Sequence, residues 1–391
     1  MFIRVNNKTL TEAVLPALCA VTPRATLSSL SSLRLEANKE ENTLTITGYD
    51  IQKGLTTTIS AEVLDEGSML MDAHRLAMIC RSLPDGEVSL SSDENYLTTI
   101  SSLNSKFEVS GVSSHNYPTL PSLSGERYFE MSQGLLKKML QQVLFSYSLT
   151  DTKPVLTGIY FSIDPGLLEI VSCDGYRISL TRRAVSEDAR DADGKPIPPV
   201  MTCNFSDSFL VPGKNVAELY KLLEDTEAPI RVELARKHVI FCFEDKTFFS
   251  RLLEGDYINY QSSMPKEYKT RITVDLARMA GATERAGLLI DEKIKSALHF
   301  SVLEDGMLLR CSTGQGRTEE LVDATVEGDT ITLGFNHRFL MDAFRGAAMA
   351  GQTKIELRLN GPLNGLLIEA VGDDRDEKQF FYLVLPVKLN G

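Results

Sequence analysis

One pattern recurs three times along the 391 residues, and it constrains the fold more than any other feature of the chain. Each copy opens on a short strand that leads into an amphipathic helix. Phe2-Ile3-Arg4-Val5 precedes a helix expected over 9–21, with Val14, Leu15, Leu18 and Cys19 on one side. Tyr128-Phe129-Glu130-Met131 precedes 132–147, where Leu136, Met139, Leu140 and Val143 form the stripe and Ser132 is the expected cap. Arg271-Ile272-Thr273-Val274 precedes 275–288, capped by Asp275. The copies begin roughly 120 to 140 residues apart. That is far longer than a solenoid repeat, so each copy is expected to be a domain of its own, over 1–126, 127–268 and 269–391.

Alternating strands follow in each copy, such as Leu33-Arg34-Leu35-Glu36, Ile159-Tyr160-Phe161-Ser162-Ile163 and Leu298-His299-Phe300-Ser301-Val302. A period of two means antiparallel strands with one buried face. A second strand-then-helix unit comes next, with helices expected over 72–83, 212–223 and 336–347. Asp72 and Asn336 suit a cap, and Pro212 suits a first helical turn. Pro16 lies inside the first helix, where its missing N–H predicts a kink. The expected fold class is α+β: three similar domains, each with two helices packed on antiparallel sheets.

The six cysteines make no C-x-x-C pair and sit in or beside apolar runs, as in Ile240-Phe241-Cys242-Phe243. They read as reduced core thiols of a cytoplasmic protein. The polar Asn6-Asn7-Lys8 after the first strand does not fit a signal peptide, and no apolar stretch approaches membrane-spanning length.

Catalytic patterns are missing from the sequence. It has no G-x-S-x-G elbow and no G-K-[ST] phosphate loop, and His74, His115, His238, His299 and His337 lack metal-ligand spacing. No metal and no cofactor is expected. The rival reading is a hydrolase working in an inter-domain cleft, which turnover or a metal requirement would reveal.

The formal net charge of −12 opposes nucleic-acid binding by the chain as a whole. Charge distribution is a separate matter, because five of the six expected helices carry cations. These include Arg75, Lys137, Lys138, Lys214, Arg285 and Arg338.

The layout resembles the bacterial beta sliding clamp, the beta subunit of DNA polymerase III, over the whole chain. The markers are Val155-Leu156-Thr157-Gly158, Asp174-Gly175-Tyr176-Arg177, Leu210-Val211-Pro212-Gly213-Lys214, Gly334-Phe335-Asn336 and Leu385-Pro386-Val387. Their order and spacing are more specific than any one of them. The resemblance implies a non-catalytic homodimer, joined head to tail as a ring of six domains around double-stranded DNA. It implies that the cationic helices line the ring, with Arg24 on a family DNA-contact position and Thr150 beside another. It places Phe107, Val109, Leu288 and Leu289 at the dimer junction.

The resemblance also implies a peptide pocket between the second and third domains. Polymerase, clamp loader and repair proteins would dock there through short linear peptides. The matching positions are Leu156, Thr157, Gly175, Tyr176, Arg177, Ile178, Asn336, Phe339, Leu363, Leu383, Leu385, Pro386 and Val387. Ser262, Ser263 and Val387-Lys388 depart from the family pattern and point to a shifted peptide preference.

Overall fold

The computed structural model describes residues 1–22, 28–121, 125–150, 152–184, 201–265, 267–290, 297–372 and 379–389. Its helices are α1 (Asn7–Ala17), α2 (Ala73–Ser82), α3 (Gln133–Gln141), α4 (Gly213–Leu222), the single turn α5 (Tyr260–Ser263), α6 (Leu276–Gly287) and α7 (His337–Met349). Caps fix several of their starts. Asp72 accepts from Arg75 N at 2.8 Å, Asp275 from Arg278 N at 2.9 Å, and Asn336 from Arg338 N at 3.0 Å. Each satisfies a backbone N–H that the first turn leaves without a partner.

Other boundaries move from their expected places. Asn6 caps α1 through Lys8 N, so the helix starts at Asn7, before Thr9. Pro16 does not kink a long helix. The α-helix ends one residue later at Ala17, and the chain continues as a 3-10 turn over Leu18–Ala20. Pro212 closes a strand, and Gly213 opens α4. A Cβ at Gly213 would lie 2.5 Å from the Tyr147 ring, so the close approach needs glycine. α3 stops at Gln141, and turns replace the expected helix beyond it.

By contacts the chain divides into two compact units, 1–133 with 221–252 and 134–220 with 253–391. The first unit holds one sheet in the order Glu62–Asp65, Phe2–Asn6, Glu87–Ser92, Leu97–Ser102, Ser105–Ser110. Its second sheet runs through Gly67–Asp72, Ser32–Asn38, Thr43–Tyr49, Lys53–Ser60, Lys246–Arg251, His238–Phe243, Pro229–Leu234 and Tyr128–Ser132. That sheet crosses from the first repeat to the second where Lys53–Ser60 pairs with Lys246–Arg251. Leu55 stands opposite Phe248, and both are fully buried. Burying such side chains is worth about 1.5–3 kcal/mol each, which makes the crossing a core contact.

The second unit repeats the device. Arg177–Ala184 of the middle repeat pairs with Phe380–Val384 of the third, setting Ile178 opposite Leu383 and Leu180 opposite Phe381. Beyond it the sheet continues through Leu366–Ala370, Lys354–Leu359, Thr270–Asp275 and the long strand Gly316–Gly328. Residues 324–328 of that strand pair with 270–274, while residues 316–323 pair with Gly306–Thr313. Helices α6 and α7 pack so closely that a Cβ at Gly287 would lie 2.7 Å from the His337 ring.

All six cysteines are free thiols. Cys80, Cys173 and Cys311 are buried, and Cys19, Cys203 and Cys242 are half-buried.

Candidate functional site

The crossing strands of the second unit assemble an apolar floor from two repeats. Leu156, Cys173 and Ile178 of the middle repeat pack with Tyr260, Met264 and Leu383 in one buried cluster. Leu156 belongs to a 3-10 turn, Pro154–Thr157, that Pro154 opens. Burial pushes the Tyr257 and Tyr260 phenols up from their ordinary range, so both stay protonated. The Tyr260 hydroxyl donates to Glu169 at 2.7 Å.

Next to these residues along the chain stand exposed apolar side chains. Tyr176 is 65% exposed, Leu363 90%, and Leu385 and Val387 40% each. Exposed large apolar groups over an apolar floor favour an occupant that covers them. Leu385 is held by its own N–H, which donates to Tyr176 O at 2.9 Å. Val387 N donates to Gly334 O at 2.8 Å, so the C-terminal segment runs beside the strand Ile331–Phe335. A Cβ at Gly334 would meet Leu389 at 2.6 Å and Val387 O at 2.7 Å, so the tail can lie this close only to a glycine. Ser262 and Ser263 are exposed on α5.

The tight turn before Tyr176 is built by its own sequence. Asp174 Oδ1 accepts from Tyr176 N at 2.9 Å and Arg177 N at 3.1 Å, and Gly175 has φ +90°, which favours glycine. Tyr176 and Arg177 also line a groove of about 460 Å³ with Phe145, Leu149 and Thr150.

Several pocket candidates also do structural work, of which only the cap at Asn336 was expected from the sequence. The Asn336 side chain caps α7, and Thr157 Oγ1 donates to Pro154 O at 2.7 Å. Arg177 is 11% exposed, and its guanidinium lies 4.2 Å from the centre of the Phe339 ring. Phe339 and Pro386 are half-buried.

The cationic candidates fall into different surroundings. Arg75, Lys138, Lys214 and Arg338 are exposed. Lys137 is half-buried, with Nζ 5.6 Å from the Tyr220 ring centre. Arg285 is ion-paired with Glu320 at 2.6 Å. Arg24 lies outside the described residues.

The four junction candidates also differ. Phe107 is half-buried on Ser105–Ser110, the end strand of the first sheet. Val109 on the same strand is 5% exposed and belongs to the core. Leu288 directly follows α6 and is 77% exposed, while Leu289 is half-buried.

Comparison with known proteins identifies the family. Family models described as the N-terminal, central and C-terminal domains of the DNA polymerase III beta subunit match residues 1–121, 130–259 and 261–388. The chain belongs to the DNA polymerase III beta-subunit family. It therefore has the three-domain α+β fold of the DNA sliding clamps. The beta sliding clamp of Staphylococcus aureus is 29% identical over 379 residues, covering 94% of each chain. That of Halalkalibacterium halodurans is 28% identical over 380 residues, again covering 94% of each. Among solved structures, the DNA polymerase sliding clamp of Bacillus subtilis superimposes with TM-score 0.90 at 25% identity, covering 100% of both chains. A putative beta subunit from Eubacterium rectale gives TM-score 0.88 at 26% identity, covering 99% of both. Among the described residues of this beta-subunit homologue, no helix is long and apolar enough to cross a membrane.

Proposed function

We propose that this chain is a non-catalytic processivity clamp that captures short peptides between its second and third repeats. Two copies close head to tail into a ring around duplex DNA, and the ring tethers the replicative polymerase, the clamp loader and repair proteins in the cytoplasm. The apolar floor at Leu156, Ile178 and Leu383 carries the reading, because its rim of Tyr176, Leu385 and Val387 is left open to solvent. An extended peptide with two apolar side chains fits such a surface.

Two open sheet edges support ring closure. Ser105–Ser110 ends the first sheet, and residues 316–323 pair on one side only among the described residues. Leu321 on that second edge is 69% exposed, and Leu288 is 77% exposed. Unpaired edges with exposed leucines favour pairing with another chain. A head-to-tail contact between two different patches closes into a ring when the rotation allows it.

A net charge of −12 with exposed cations on the helices suits sliding. Strong phosphate contacts would oppose movement, whereas topology holds the duplex without them. The test is co-sedimentation with closed circular duplex after loading, before and after linearisation. Retention on the circle and release on cutting are expected. Equal retention on both forms, or hydrolytic turnover, would overturn the reading.

A further inference from the structure

Arg177 is one of the matched pocket positions, yet its donors already have partners within the protein. Nε donates to Asp174 Oδ2 at 3.0 Å, Nη1 to Asp342 Oδ2 at 2.7 Å, and Nη2 to Phe145 O. Its guanidinium carbon lies 4.2 Å from the centre of the Phe339 ring and 5.5 Å from that of Phe145. A side chain so engaged is poorly placed to offer a hydrogen bond to an incoming peptide. It holds the turn on which Tyr176 stands, and Tyr176 O in turn receives Leu385 N. Asp342 belongs to α7 in the third repeat, whereas Asp174 and Phe145 belong to the second. No sequence pattern marked it.

We infer that Asp342 is a positioning residue for peptide capture: it fixes Arg177, and through Arg177 the turn that presents Tyr176 and the Leu385 segment to the peptide. The inference rests on the peptide-pocket reading. It adds a residue that does not touch the peptide and acts from the far end of a part-buried charged hydrogen bond. Asp342 also lies 3.8 Å from the exposed Arg345, so its carboxylate faces two cations. Removing it leaves the guanidinium, only 11% exposed, without its α7 anchor.

The test is a fluorescence-anisotropy titration of a labelled peptide carrying a glutamine and a leucine-phenylalanine pair. It is run on the full chain and on the D342A, Y176A and D342A/Y176A variants, with sedimentation to follow the dimer. Contacting residues in one network show coupling, so D342A should weaken peptide binding about tenfold while the dimer persists. In the Y176A background the same change should cost clearly less, because only the Leu385 segment, held by the backbone oxygen of residue 176, is then left to position. A merely structural role would lower affinity equally in both backgrounds and would overturn the proposal. Should D342A fail to fold, D342L keeps about the same size without either acceptor, and the same two-background comparison is made with it. Wild-type affinity in D342A or D342L overturns the proposal and leaves the pocket reading intact. Absence of peptide binding to the unaltered chain overturns both.

Discussion

Arg285 on α6 holds Glu320 of the strand Gly316–Gly328 with two hydrogen bonds, 3.0 Å from Nε and 2.6 Å from Nη2. The pair pulls the Glu320 carboxyl below the ordinary glutamate range, through the hydrogen bond first and the charge second. A depressed carboxylate contributes while it is ionised, and the contribution disappears as pH falls through its folded-state pKa. At neutral pH the cation of Arg285 is therefore already answered. Replacing Glu320 by glutamine should free it. Open-duplex affinity should rise, and the slope of log K against log salt should steepen by about one unit. Unchanged binding in E320Q across a salt series would mean that this arginine does not face DNA.

The junction candidates divide by burial. Leu289→Asp places a charge beside exposed Leu288, and in the proposed ring it would act at both junctions. The variant should sediment as a monomer at low micromolar concentration, with an unchanged melting temperature. Val109 is in the core, so Val109→Ala should act on the protomer instead, by on the order of 2 kcal/mol in a denaturant titration. A dimeric L289D protein would exclude this face from the junction.

Much of the fold was legible, because helix and strand periods are local. Asp72, Asp275 and Asn336 were recognisable caps, and each is observed to accept a backbone N–H near the start of its helix. Leu136, Met139, Leu140 and Val143 were a recognisable stripe, and all four are buried. The sheets that cross from one repeat to the next were not legible. Phe248 meets Leu55 across nearly two hundred residues of chain, and no local period encodes such a pairing. The same reason hid the site's supports. Asp174-Gly175-Tyr176-Arg177 stood out as a family marker, but nothing nearby announced that its arginine reaches Asp342.

His337 begins α7 with its ring against Gly287 of α6. Burial lowers its pKa from the ordinary value, and Arg338 adds to the effect. The folded chain thus favours the neutral ring. Its contribution is complete above about pH 6.5, the unfolded value, and is lost as pH falls toward the lower folded one. The melting temperature should fall over that window, and His337→Gln should flatten the dependence. Gly287→Ala should destabilise at every pH, by about 1–3 kcal/mol, because the added carbon overlaps the ring.

Glu356 and Glu369 stand directly opposite each other on neighbouring strands and are almost fully buried. Arg358 bridges them, 2.7 Å from Glu369 and in contact with Glu356, and its guanidinium lies 5.2 Å from the Tyr268 ring centre. Removing the arginine would take away the cation that bridges two buried carboxylates, leaving Arg271 3.6 Å from Glu356. Arg358→Met should cost about 3–5 kcal/mol in a urea titration. The combined replacement of both glutamates by glutamine should recover part of that loss.

The C-terminal segment separates the floor of the pocket from its rim. Leu383 is 4% exposed and pairs with Ile178, so Leu383→Ala should destabilise the protomer by about 2–5 kcal/mol. Leu385, two residues on, is 40% exposed and has little to lose from the core. If it covers a peptide side chain, Leu385→Ala should weaken a micromolar peptide about tenfold and leave stability unchanged. Deleting residues 385–391 removes the N–H donors to Tyr176 O and Gly334 O as well as the rim. That truncation should abolish peptide binding in anisotropy while sedimentation still reports a dimer, since the open edges at 105–110 and 316–323 are untouched. Unchanged peptide affinity in the truncated dimer would place the capture surface elsewhere on the chain.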